Sequence, residues 1–208
     1  MVNITPVILA AGDSSRMGYP KALLPLGSDT FITHILKTLS LLDLPDACVV
    51  LGIHESRIRP LLLDRRARIL INPNPERGHV SSMKLAFETL DPGCEGCLIW
   101  PVDQPVVSAE LVRNLIQLFV GSAAALAMPQ RGGKAGHPAI FGRALIKELL
   151  DAPPDANPKL IVALHKSRAA WLATNECGTI EDIDTPEDYF RLTRETLASA
   201  LARHTSDA

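Results

Sequence analysis

Short runs of apolar, often β-branched residues alternate along this chain with longer stretches whose apolar residues recur at helical spacing. Residues 7–10, 48–52, 68–72 and 98–102 each read as a buried strand closed by a turn or a polar residue. Between them, residues 31–42, 54–63 and 81–90 carry the 3.6-residue period of helices. Strands that are apolar at nearly every position are those covered on both faces. The alternation therefore predicts an α/β fold with a mostly parallel sheet and helices on both faces, in one domain spanning residues 1–208.

The later half is less regular. Residues 107–119 read as a helix with Ser108 as its N-cap, and residues 123–129 and 138–141 as strands flanking a polar loop at 130–137. Three prolines make 151–158 an irregular loop, 171–174 a further strand, and Thr185-Pro186 the cap and first residue of a C-terminal helix. Ligands of open α/β sheets gather at the carboxyl ends of the strands. Three polar motifs fall there: one after the first strand, one after residues 98–102, and one before the last helix.

Composition narrows the function classes. With 208 residues, 47% hydrophobic and 21% charged, the chain can bury a core of its own. A net charge of −2 gives no field to attract nucleic acid or an acidic membrane, so an anionic ligand must be held by local groups. No apolar run is long enough to span a membrane, and no basic segment precedes an apolar run at Met1; the expectation is a cytoplasmic protein. Cys94-Glu-Gly-Cys97 lacks the second ligand pair of a structural zinc site and reads as a turn leading into a strand.

The first motif runs Leu9-Ala10-Ala11-Gly12-Asp-Ser14-Ser-Arg16-Met-Gly-Tyr-Pro-Lys21. Small residues directly after a buried strand let the backbone approach a ligand and turn its N–H groups toward phosphate. Arg16 offers a planar fork of donors and Lys21 a mobile point charge, together suited to a triphosphate and a departing pyrophosphate. The string is neither a Walker loop nor Gly-x-Gly-x-x-Gly. In the second motif, Trp100-Pro-Val-Asp103-Gln104-Pro105, a carboxylate ends a buried strand where Mg²⁺ could join it to phosphates. In the third, Asp182-Ile-Asp184-Thr-Pro-Glu-Asp188, alternation puts Asp182 and Asp184 on one side of an extended segment, with Asp184 nearer the strand end.

Taken together, the motifs resemble those of the MobA-like NTP transferases, and within them the molybdenum cofactor cytidylyltransferase branch. The resemblance implies a Rossmann-like nucleotidyltransferase fold whose first loop wraps the NTP, with Leu9, Ala10, Ala11, Gly12 and Ser14 around it and Arg16 and Lys21 on its phosphates. It implies a metal role for Asp103, with Asp184 as the second carboxylate and Asp182 behind it, Mg²⁺ being the cofactor. Gly78-His-Val-Ser-Ser82-Met is similar to a family stretch near the base; Ser82 is expected to cap its helix and to reach a pyrimidine. Gly136-His137-Pro138 resembles a segment that borders the acceptor. The family's Gly-Asp-x-Gly segment has no counterpart here, where Asp155-Ala-Asn-Pro stands instead.

The expected reaction is transfer of CMP from CTP to a phosphorylated acceptor, molybdopterin or its molybdenum-loaded form, with Arg16, Lys21 and Asp103 as catalytic residues and a molybdenum enzyme as recipient of the product. Two alternatives stay open at this point. One is transfer of a CMP, GMP or other nucleotidyl group to a sugar or polyol phosphate. The other is a non-catalytic nucleotide or cofactor carrier serving a molybdenum hydroxylase.

Overall fold

The computed structural model describes residues 3–63, 65, 67–153 and 158–206. Its strands are β1 (Ile4–Ala10), β2 (Pro25–Leu26), β3 (Asp29–Thr30), β4 (Ala47–Leu51), β5 (Ala67–Ile71), β6 (Gly96–Pro101), β7 (Leu126–Arg131), β8 (Lys134–Ala135), β9 (Ala139–Gly142) and β10 (Ala170–Ala173). Its helices are α1 (Phe31–Ser40), α2 (Glu55–Ile58), α3 (His79–Glu88), α4 (Ala109–Val120), α5 (Arg143–Asp151), α6 (Pro158–Lys166), α7 (Pro186–Thr193) and α8 (Leu197–Ser206).

The main sheet runs β10-β7-β9-β6-β1-β4-β5, with β8 paired to β7 and a separate β2–β3 hairpin. It is mixed but mostly parallel: β6, β1, β4 and β5 are mutually parallel, as are β7 and β10. Strand β9 is the departure from the expected pattern. It lies antiparallel between β6 and β7, because the hairpin β7–β8 sends the chain back across the sheet. The turn of that hairpin is Gly132-Gly133, with φ of 55° and 80°, the left-handed pair that a two-residue turn matching strand twist requires.

Alternate residues of the central strands feed two cores, one on each face. Ile4, Ile8, Ala47, Val49, Leu51, Leu98 and Trp100 pack with α1, α4 and α7. Val7, Leu9, Cys48, Val50, Cys97 and Ile99 pack with α3 and α5. This two-sided burial is the reason the strands read as unbroken apolar runs. Cys94 and Cys97 are free and buried, the first in the turn ahead of β6 and the second within it.

Several expected elements change at their ends for local reasons. The helix expected over 54–63 is one α-turn, Glu55–Ile58, followed by a 3₁₀ turn, Arg59–Leu62. Pro60 has no N–H to continue the α ladder. The C-terminal helix is two helices, broken where Arg194 takes φ of 62°. Ser108 caps α4 as expected, its Oγ accepting from Leu111 N at 3.0 Å. Thr185 caps α7 in a capping box with Asp188. Asp155, Ala156 and Asn157 lie outside the described residues.

Candidate active site

The loop after β1 is held in shape by its own side chains. Asp13 Oδ1 accepts from Ser15 N at 3.1 Å, and the carbonyl of Ser14 accepts from Met17 N and Gly18 N at 3.1 and 3.0 Å. Ser14 itself sits at φ of 56°, uncommon for a residue with a side chain. Its Oγ accepts from Lys21 N at 3.0 Å, so the residue expected to meet nucleotide also fixes the start of the Lys21 turn. Met17 is buried and anchors the loop in the core, while Arg16 projects from it with a 70% exposed side chain. From the other side His54 Nε2 bonds the Asp13 carbonyl at 2.9 Å, and the Arg57 guanidinium lies over the Tyr19 ring.

Lys21 points inward to the ends of the two other motifs. Its ammonium donates to Asp103 Oδ2 at 2.8 Å and to Asp184 Oδ1, and Arg16 Nη2 reaches the same Asp184 oxygen at 2.9 Å. Burial opposes the charge on Lys21, but Asp103 and then Asp184 outweigh it, and its pKa is raised. The two carboxylate motifs are clasped together: Ile183 N donates to the Asp103 carbonyl at 2.9 Å, and Gln104 Nε2 donates to Asp182 Oδ1 at 2.6 Å. Asp182 thus faces Gln104 while Asp184 faces the cations, although both line the same cavity. Partial burial raises the pKa of Asp182, the Gln104 bond opposes this, and the Asp103 and Asp184 charges add to it.

That cavity, of about 250 Å³, is lined by Leu9, Ala10, the 12–16 loop, Lys21, Asp103, Asp182 and Asp184. Four carboxylates (Asp13, Asp103, Asp182 and Asp184) face two cations, Arg16 and Lys21. A triphosphate gains little from such a cleft unless divalent counter-ions come with it. The donor set fits a divalent ion. Asp103 and Asp184 already converge on one cation, and Mg²⁺ commonly takes one or two carboxylates and completes its shell from phosphates and water. Among the described residues no three His, Cys, Asp or Glu side chains are grouped as a metal site, so the three aspartates do not form a ready-made triad.

A second cavity, of about 480 Å³, shares Leu9, Gly12, Asp13 and His79 with the first and continues to Ala11, Ile53, Glu76, Gly78 and Ser82. The expectation that Ser82 caps its helix is corrected here. The helix α3 starts three residues earlier, at His79, with Gly78 as N-cap at φ of 78°. Ser82 is instead an inward-facing residue, buried, with its Oγ accepting from Asn72 Nδ2 at 2.9 Å. Asn72, which belongs to none of the sequence motifs, stands just past β5 and bonds the hydroxyls of Ser81 and Ser82.

Gly136, His137 and Pro138 lie between β8 and β9, docked on the 3₁₀ turn Cys177–Thr179 that precedes Asp182. His137 N donates to the Thr179 carbonyl at 2.8 Å, and a Cβ on Gly136 would stand 2.2 Å from that oxygen, so only glycine fits. His137 lines a third, more apolar cavity of about 390 Å³ together with Lys84, Phe141 and Lys166. Burial lowers its pKa to about 4; Asp103 opposes this, while His79 and Lys166 assist. A histidine neutral in the fold but free to protonate when unfolded costs stability as pH falls from about 6.5 to 4. His137→Gln is therefore expected to flatten the pH dependence. Urea midpoints at pH 7 and pH 5 should differ less in the variant than in the wild type, by up to about 2 kcal/mol at pH 5. Equal pH dependence in both would remove the buried neutral histidine from the account.

Comparison with known proteins identifies the family. Residues 6–176 match the model of the MobA-like NTP transferase domain. A protein of Rhodopirellula baltica described as a probable molybdenum cofactor guanylyltransferase is 34% identical over 127 residues, 60% of this chain and 60% of that protein. The molybdenum cofactor cytidylyltransferase of Escherichia coli is 25% identical over 190 residues, 91% of this chain and 95% of its own length. Among solved structures, Rv0371c of Mycobacterium tuberculosis H37Rv superimposes with a TM-score of 0.79 at 27% identity, covering 93% of this chain and 99% of that one. The same protein is also known in complex with manganese, with a TM-score of 0.73. The chain belongs to the family of MobA-like NTP transferase domains.

Proposed function

We propose that the protein, acting as one domain over residues 1–208, transfers CMP from CTP to a phosphate monoester of the molybdopterin type and releases pyrophosphate. The observation that carries this reading is the meeting of Lys21, Asp103 and Asp184 at the mouth of the loop after β1. In it the triphosphate lies along residues 9–16, with Arg16 and Lys21 on its phosphates and the base in the cavity beside Ser82. The surface ion pair of Arg16 with Asp184 is exposed and weak, so Arg16 exchanges it readily for phosphate. Asp103 and Asp184 would hold Mg²⁺, which would neutralise charge on the phosphate oxygens. The manganese complex of the M. tuberculosis relative supports a divalent ion in this fold.

An oxygen of the acceptor phosphate attacks the α-phosphorus, and the bond to the β-phosphate breaks as pyrophosphate departs. The acceptor phosphate is largely dianionic near neutral pH, its second pKa being about 6, so no side chain has to take a proton. Catalysis is then positioning and charge neutralisation. His137, uncharged near neutral pH, borders the acceptor as a neutral hydrogen-bonding group. The nucleotide product would pass to a molybdenum enzyme.

Guanylyl transfer is the second reading, favoured by the R. baltica relative's name. A screen of the four NTPs against phosphorylated acceptors with Mg²⁺, followed by pyrophosphate release, tests both. CTP is expected to give the highest kcat/KM with a molybdopterin acceptor. A preference for GTP would overturn the cytidylyl assignment and keep nucleotidyl transfer; nucleotide binding without pyrophosphate release from any pair would leave a carrier.

A further inference from the structure

The third cavity, of about 390 Å³, differs from the other two in its chemistry. Val80, Met83, Lys84 and Phe87 follow helical spacing along one face of α3 and wall it on one side. Phe87 and Phe141 are buried, with ring centroids 5.9 Å apart, but Met83 and Val162 are only partly buried, so this apolar surface is not closed as a core would be. The charges around it are of one sign. Lys84 and Lys166 line the cavity and no carboxylate does. Among the described residues neither lysine makes a side-chain hydrogen bond or ion pair, and Glu148, which could reach this region from α5, pairs with His165 instead. The cavity also adjoins the phosphate site. His137 lines it within electrostatic reach of both Asp103 and Lys166, and α3 gives His79 to the first cavity and Val80 to this one.

We infer that this cavity takes the body of the acceptor, a flat heteroaromatic ring carrying a second anionic group remote from the reacting phosphate, with the ring against Met83, Phe87 and Phe141 and the anion on Lys84 and Lys166. The inference rests on the reading above that the acceptor borders His137, and it adds which two cations select the acceptor. Aromatic and thioether side chains favour a flat ring, which gains both apolar contact and stacking. An ammonium beside an apolar wall attracts an anion more strongly than one in open water. Lys166 is exposed and Lys84 partly so, which keeps the contribution of each modest.

Fluorescence titration of the full chain with a pterin carboxylate, and with the parent pterin that lacks the carboxylate, tests it, paired with CTP binding in Mg²⁺ by calorimetry. The wild type is expected to bind the carboxylate about 10-fold more tightly than the parent pterin. Lys84→Gln and Lys166→Gln should each weaken the carboxylate about 3-fold and together about 10-fold, with the parent pterin held within about 2-fold. Ala163→Trp, at an exposed position of the lining, is expected to weaken both pterins about 10-fold by filling the cavity. CTP binding should change by less than about 2-fold in every variant, because none of these residues lines the nucleotide cavities. Equal binding of the two pterins by the wild type, or a double variant that binds the carboxylate as the wild type does, overturns the anion site. Unchanged pterin binding in Ala163→Trp overturns the ring pocket. A wild type that binds CTP and neither pterin overturns the inference and leaves nucleotidyl transfer standing; one that binds the pterins as expected but not CTP does the reverse.

Discussion

Asp103→Asn is expected to fold normally and to lose about 10²- to 10³-fold in kcat, the scale of removing one preorganised charge-stabilising group. Folding should survive because the main-chain bonds around position 103 do not involve the side chain. Val102 N donates to the Leu9 carbonyl at 3.1 Å, Ile183 N to the Asp103 carbonyl at 2.9 Å, and the Trp100 indole to the Gln104 carbonyl at 2.9 Å. An amide at 103 can still accept from Lys21. What it cannot do is offer negative charge to a divalent ion, and neutral oxygen ligates Mg²⁺ far more weakly than a carboxylate. Two measurements are paired: turnover against Mg²⁺ concentration, and Mn²⁺ binding by electron paramagnetic resonance with NTP present. Near-wild-type turnover in a folded variant would take Asp103 out of the metal site.

Lys21→Ala should lower kcat by about 10²-fold or more, with a smaller change in KM for the nucleotide. The charge on the departing pyrophosphate grows in the transition state, and a group that meets growing charge acts on kcat. The structure adds a second, opposite effect. In the protein without nucleotide, Lys21 is the cation shared by Asp103 and Asp184, so its removal leaves two carboxylates facing one another. Such a pair repels, and the variant should bind Mn²⁺ more tightly than the wild type when no nucleotide is present. Lys21→Arg is expected to recover little of kcat, because a planar fork cannot take the place of a compact ammonium held between two oxygens. A rise in KM with kcat unchanged would make Lys21 a holding group only. Unchanged or weaker Mn²⁺ binding in Lys21→Ala would mean that the lysine and the ion use different oxygens.

The features legible in the sequence are those set by near neighbours. Strands covered on both faces show as apolar runs because both alternate sets of side chains, such as Ile8 and Leu9, enter a core. The Ser108 and Thr185 caps are readable because a cap bonds an N–H three residues on. The loop from Leu9 to Lys21 and the carboxylate at 103 stand at strand ends, where chain order alone predicts a site, while Asp184 lies in the segment just before α7. Which groups meet there was decided by contacts across long stretches of chain. Asp182 and Asp184 look equivalent by alternation, yet Gln104 takes one and Lys21 the other, across 78 and 163 residues. The antiparallel strand β9 depends on a glycine turn that reverses the chain within what reads as a polar loop. Ser82 looks like a cap until Gly78 starts the helix earlier, and only the seating of α3 on the sheet brings Asn72 to its hydroxyl. Which partner each polar side chain takes is a property of the assembled network, since it depends on groups brought together from distant parts of the chain.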